Sequence, residues 1–240
     1  MYHIEKIIKH YGIKQPDTIL YSENKAKLLL SAVEKKSSKK NSSLILVTAV
    51  SPTKSGEGKT TVSIGLSQAL NKHGVKSVLS LREPSMGPVF GVKGGATGGG
   101  KAKLFPSNDI NLHFNGDIHA ITSANNLLAA AIDNHIYFGN SLRIDQKTIS
   151  FKRCLDMNDR SLRDKFDITA ASEMMAIVCL SKDMKDLRKR IARIVVAQDT
   201  KGNDIYAKDL KAVGVMMAIL KDAMMPNIVA TEDGCLAFIH

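Results

Sequence analysis

The feature that most constrains this chain is the passage "SLILVTAVSPTKSGEGKTTVSIGLSQALNKHG", Ser43 to Gly74, in which an apolar run meets a glycine-rich loop and then a helical pattern. Ser43 to Val50 is short, continuous and β-branched, as a strand buried on both faces would be. Thr60 to Lys72 then carries Val62, Leu66, Ala69 and Leu70 toward one side and stops before Gly74. A glycine turn between such elements presents backbone N–H groups to an anion at the positive end of a helix dipole. Gly56 and Gly58 allow close approach of a phosphate, Lys59 reaches its terminal oxygens, and the Thr60 hydroxyl suits Mg²⁺. The usual pattern has one more glycine five residues before Gly58, where this chain has Thr53. A tight turn without a ligand is the plainer reading of the same residues.

Further along, "KSVLSL" (Lys76 to Leu81) reads as a strand and "DINLHF" (Asp109 to Phe114) as another, with Ile110, Leu112 and Phe114 alternating. "IHAITSANNLLAAAIDNHIY", Ile118 to Tyr137, reads as a long apolar helix that Asp117 caps. Strands alternating with helices imply crossover connections. The expected fold is therefore α/β, a mostly parallel sheet with flanking helices of the phosphate-loop NTPase type.

Two more polar loops follow those strands. Arg82 and Glu83 in "LREPSMGPVFG" stand where a strand ends, which is where open α/β sheets bind ligands. Arg82 offers a bidentate guanidinium to a phosphate or carboxylate, or else makes a surface pair with Glu83. "GVKGGATGGG" has six glycines in ten residues and serves either as a flap over an anionic ligand or as a linker. His113 and His119 do not match a familiar metal-ligand spacing, and Asp199 in "QDTKGND" reads as a turn residue.

Composition narrows the classes. The chain has 240 residues, 44% of them apolar, and a formal net charge of +11. No apolar run reaches the eighteen or so residues of a membrane span. The first twelve residues lack the features of a signal or transit peptide. Cys154, Cys179 and Cys235 are odd in number and far apart, which favours reduced thiols and a cytoplasmic location. Residues 1 to 40 hold nine lysines against four acidic residues, so much of the charge lies in one N-terminal segment. In "KDMKDLRKRIARIVV" the apolar Met184, Leu187, Ile191 and Ile194 share a helical spacing that leaves the bases on a solvated face. With no aromatics interleaved, neither nucleic acid nor a membrane is an expected partner. The expected division is an N-terminal helical segment and basic connector over 1–41 and an ATP-binding α/β domain over 42–240.

Together, the blocks "LILVTAVSPTKSGEGKTT", "LREPSMGPVFGVKGGATGGG", "DINLHFNGDIHAITSANNLLAAAIDNHIY", "LDMNDRSLR", "FDITAASEMMAIVCL" and "AKDLKAVGVMMAILKDAMMPNIVATEDG" resemble formate–tetrahydrofolate ligase. They follow the family's order over nearly the whole chain, and the family also lacks the first loop glycine. The resemblance implies that Thr53, Lys54, Ser55, Gly56, Glu57, Gly58, Lys59 and Thr60 bind ATP, with Thr60 on Mg²⁺. It implies Lys59 and Arg82 as catalytic residues, Arg82 meeting formate or formyl phosphate, and tetrahydrofolate as co-substrate. The implied reaction makes 10-formyltetrahydrofolate through formyl phosphate, in a homo-oligomer. Lys54 stands where the family has proline and Lys101 where it has tyrosine, and the segment around Asp164 and Lys165 is shortened. Because the resemblance stops at His240, the expected fold is a truncated one, less than half of the family's enzyme. The alternatives are a remnant or split piece that only binds ATP, and a generic phosphate-loop ATPase.

Overall fold

The computed structural model describes residues 3–33, 42–51, 53, 56–91, 97–159, 161–162 and 165–240. The chain divides into two compact units, Met1–Asn115 with Met225–His240, and Gly116–Met224.

In the first unit the main sheet runs in the order Thr18–Ser22, Lys25–Leu28, Asn227–Thr231, Leu236–Ile239, Leu79–Leu81. A short hairpin, Gly98–Gly99 with Ala102–Phe105, joins it through the pairing of Phe105 with Ala230. Every pairing in this sheet is antiparallel except that of Leu236–Ile239 with Leu79–Leu81. The expected mostly parallel, phosphate-loop NTPase-like sheet is therefore overturned. Connection length is the physical reason: a strand joined to the next by a few residues can only turn back beside it. Glu23 and Asn24 link the first two strands, and Glu232 to Cys235 link Asn227–Thr231 to Leu236–Ile239, with Gly234 at φ 89°.

Two expected strands are absent among the described residues. Ser43 to Val50 carries no regular secondary structure, and Leu44 and Val50 are fully exposed. Asp109 to Phe114 falls instead on a short helix, Ser107–Asn111, with Phe114 at φ 37° beyond it. The helix after the glycine loop forms as expected, at Lys59–Lys72, but buries a different face. Ile64 and Ser67 point inward, while Val62 and Leu66 are exposed. The inward face carries polar partners that a purely apolar reading overlooks. Ser67 shares a hydrogen bond with Ser77 at 2.8 Å, and Asn71 Nδ2 donates to Ser77 Oγ at 2.8 Å. The Tyr11 hydroxyl donates to Asn71 Oδ1 at 2.9 Å, and its burial pushes the phenol's pKa up.

The Asn227–Thr231 strand is buried at every position, and its alternation splits the core in two. Val229 packs with Ile64, Leu79, Leu104, Ile110 and Ile239 on one face. Ile228 and Ala230 pack with Ile4, Ile7 and Ile8 of the Ile4–His10 helix on the other. A helix thus covers each face.

The second unit is built on the Asp117–Tyr137 helix, close to the expected span. Ile121, Ala124, Leu128 and Ile132 bury one stripe of it at spacings of three and four. Its N-cap is Gly116 in the left-handed region, φ 87°, with Asp117 the first helical residue rather than the cap. Glu173–Leu180 and Val213–Leu220 pack against it, and Met184–Ala192 packs against those two. Leu187, Ile191 and Ile194 are buried while Lys185, Arg188 and Lys189 are exposed, as the spacing predicts. Arg153–Leu155 and Phe166–Ile168 form a two-stranded parallel sheet. Asp199 does sit in a turn, where the Asn203 side-chain amide and then the backbone N–H groups of Asn203 and Lys201 donate to it and hold its carboxyl below the usual range.

Gly98, at φ 92°, seats the hairpin against the Lys59–Lys72 helix, since a Cβ there would meet Ala102 O and lie 2.8 Å from Ile64 Cδ1. Gly98→Ala is expected to lower stability by about 2–4 kcal/mol, because both the backbone conformation and the space are closed to it. Chemical denaturation of the two proteins checks this. The three cysteines are free, Cys154 and Cys235 buried and Cys179 exposed. Burial pushes both buried thiols above the ordinary range, so each adds stability below that range that is lost as pH rises through it. Iodoacetamide on the native protein near pH 8 should modify Cys179 and spare the other two until denaturant is added.

Candidate functional site

The glycine-rich loop is placed by the helix that follows it. Gly58 is that helix's N-cap at φ 71°, and Gly56 lies at φ 85°. Both conformations are open to glycine and strained for other residues. Gly56 N–H donates to Thr53 O at 3.2 Å, closing a turn, and Val62 N–H donates to Gly58 O at 2.9 Å, opening the helix. Among the described residues no side chain caps the helix. The amino end of a fourteen-residue helix is thus left with its first N–H groups directed outward, as an anion site requires.

Within this frame Thr53, Gly58 and Lys59 are exposed, while Gly56, Glu57 and Thr60 are half-buried. Lys54 and Ser55 lie outside the described residues, as do residues 92–96 of the second glycine run and Asp164. Lys59 stands in the first helical turn with its backbone carbonyl accepting from Ser63 Oγ at 2.8 Å. Its side chain is free to extend to an anion at the loop. Glu57 Oε1 is buried and makes no hydrogen bond, an acceptor that a cation's hydration water or a ligand donor would satisfy. Among the described residues no group of three or more His, Cys, Asp and Glu side chains could hold a metal by itself. The Thr60 hydroxyl would be the protein's contribution to a Mg²⁺ bound at this loop.

Arg82 belongs to the same unit. After Lys72 the chain turns and comes back through Leu79–Leu81, which packs against the helix. His240 N–H donates to Leu81 O at 3.1 Å, and Glu83 N–H donates to His240 O at 2.9 Å. The parallel ladder thus continues one residue past the strand, and alternation turns Arg82 outward and Glu83 inward. Arg82 is exposed and Glu83 is buried, as this predicts.

The inward side of this strand end holds residues that the sequence reading did not single out. Asn227 Nδ2 donates to Glu83 Oε2 at 3.4 Å, and Asn115 Nδ2 donates to Asn227 Oδ1 at 2.8 Å. Lys27, opposite Asn227 in the antiparallel register, is wholly buried and donates Nζ to Met225 O at 3.1 Å. A polar residue beside apolar ones in a strand, Lys27 in "KAKL" and Asn227 in "PNIVAT", was the available signal. His113 and His119 are both exposed. Lys101 is exposed at the turn of the glycine hairpin, its carbonyl accepting from Gln68 Nε2 at 3.1 Å.

No helix among the described residues is long and apolar enough to cross a membrane. The outward-facing start of the Lys59–Lys72 helix, with Lys59 in its first turn, and the exposed Arg82 at a strand end both lie in the first unit. The family model for formate–tetrahydrofolate ligase matches residues 1–240, and the chain belongs to that family.

Proposed function

We propose that this chain performs the ATP- and formate-handling steps of formate–tetrahydrofolate ligase chemistry. The family uses ATP and tetrahydrofolate, and its reaction joins formate to the folate. The observation that carries the reading to particular residues is the uncapped amino end of the Lys59–Lys72 helix, entered through left-handed Gly56 and Gly58.

In this reading the loop from Thr53 to Thr60 holds the ATP phosphates. Backbone N–H groups at the helix start and the Lys59 ammonium meet the negative oxygens. Mg²⁺, held by the Thr60 hydroxyl, would neutralise charge on the phosphates. A formate oxygen attacks the γ-phosphorus as the bond to ADP breaks, which gives formyl phosphate. The N10 amine of tetrahydrofolate then attacks the formyl carbon, loses its proton and displaces phosphate, giving 10-formyltetrahydrofolate. Formate carries one charge and the γ-phosphate more, so their approach is opposed by like-charge repulsion. Lys59 and Arg82 lower that cost by placing positive charge beside both partners, and the guanidinium fork suits a planar carboxylate.

Mixing the chain with formate, MgATP and tetrahydrofolate and following both ADP and 10-formyltetrahydrofolate tests this reading. Formate-dependent ADP release is expected, and its absence under saturating substrates would count against ligase chemistry in this chain. Lys59→Ala should cut that turnover by about 100-fold or more and weaken ATP binding, whereas equal activity would remove Lys59 from the site. Arg82→Lys should keep nucleotide affinity while lowering kcat/KM for formate by roughly 10- to 100-fold. Equal losses for ATP and formate would place Arg82 on the nucleotide instead.

A further inference from the structure

The exposed Arg82 guanidinium is carried by a strand end whose opposite side is locked into the core. Its two neighbours are both tied to His240, Leu81 through its carbonyl and Glu83 through its N–H. Backbone bonds of this kind fix the height of Arg82 along the ladder. They leave the twist about the strand axis to the side chains, among which Glu83, directly after Arg82, is buried.

Glu83 is met there by Asn227, itself wholly buried between Ile239 on one side and Lys27 on the other. The carboxamide donates to Glu83 Oε2 and accepts from Asn115 Nδ2, so its two ends are used in a fixed sense. Asn115 follows the left-handed Phe114, whose ring is buried in the same core as Leu79. The chain of contacts thus runs from the Phe114 corner through Asn227 to the residue beside Arg82. Burial makes each of these bonds costly to lose and holds the rotamers that make them.

We infer that Asn227 is a positioning residue for Arg82, orienting the guanidinium toward the bound anion by fixing Glu83 from within the core. The inference rests on the assignment of Arg82 to formate made above. Asn227 does not touch substrate. Its effect is to restrict the directions that Arg82 samples, so its loss should weaken recognition of the planar carboxylate more than it weakens the nucleotide.

Modification of Arg82 by phenylglyoxal, mapped by peptide mass spectrometry, reads this without turnover. The probe is sodium formate, titrated with Mg²⁺ and a non-hydrolysable ATP analogue present, and the quantity is the formate concentration that halves modification. Asn227→Asp sets a second carboxylate against Glu83 and should raise that concentration about tenfold. Glu83→Gln combined with Asn227→Asp restores one donor facing one carboxylate and should bring it back to within about twofold of the unsubstituted chain. A lower unfolding midpoint for Asn227→Asp with unchanged protection would make Asn227 merely structural and overturn the inference. Should Asn227→Asp not fold, Asn115→Ala decides: a rise of about threefold is expected, and no change overturns the proposal. Failure of formate to protect Arg82 in the unsubstituted chain would overturn the Arg82 assignment itself, a result distinct from protection that ignores Asn227.

Discussion

The first unit depends on one strand, Asn227–Thr231, being sealed on all sides. Every residue in it is buried, one face against Ile64 and Leu79 and the other against Ile4, Ile7 and Ile8. Its edges bond to Lys25–Leu28 and Ala102–Phe105 on one side and to Leu236–Ile239 on the other. A strand so placed has no water available to its backbone, so each N–H and C=O must find a protein partner. The N-terminal hairpin, the glycine hairpin and the last strand supply these partners from segments far apart in the chain. The helix behind the glycine loop is in turn held by Ile64 on the same face. The loop therefore leads into a helix whose Ile64 shares a core with Val229, some 165 residues later in the chain.

How much of this is legible in the sequence follows from the range of the forces involved. The Lys59–Lys72 and Asp117–Tyr137 helices and the Met184–Ala192 face show themselves because helical periodicity is local. Strand direction does not, since an apolar run such as Ser43 to Val50 states its preference for burial but not its partner. In Asp109 to Phe114 the sequence pattern was itself ambiguous. Ile110 and Phe114, both buried, are four apart and satisfy a helical turn as well as an alternating strand, and Leu112 between them is exposed. The inner face of Lys59–Lys72 misleads for another reason: Ser67 and Asn71 are chosen for hydrogen bonds to Ser77, which an apolar count cannot register.

The candidate site divides along the same line. Gly56, Gly58 and Lys59 are readable because a loop entering a helix is a local object whose glycine conformations follow from its own few residues. The polar set behind Arg82 is not readable in that way. Asn227 meets Glu83 across 144 positions and Asn115 across 112, and no spacing rule joins them. A single buried amide in an apolar strand is only a sign that some partner exists.

The two basic residues are also held by different means, and on the proposed reading this bears on how ligands are discriminated. Lys59 is on a flexible stem at the mouth of a helix whose dipole and free N–H groups already favour an anion of almost any shape. Such an arrangement supplies attraction without demanding a geometry. Arg82 is the opposite case, a rigid planar fork on a backbone fixed by two hydrogen bonds to His240 and backed by a buried side chain. Restricting a guanidinium in advance removes entropy that would otherwise be lost on binding, so the gain goes to ligands whose oxygens match the fork. On the proposed assignment, charge collected at the loop sets how strongly an anion is drawn in, and the interior behind Glu83 sets which anion is held in register.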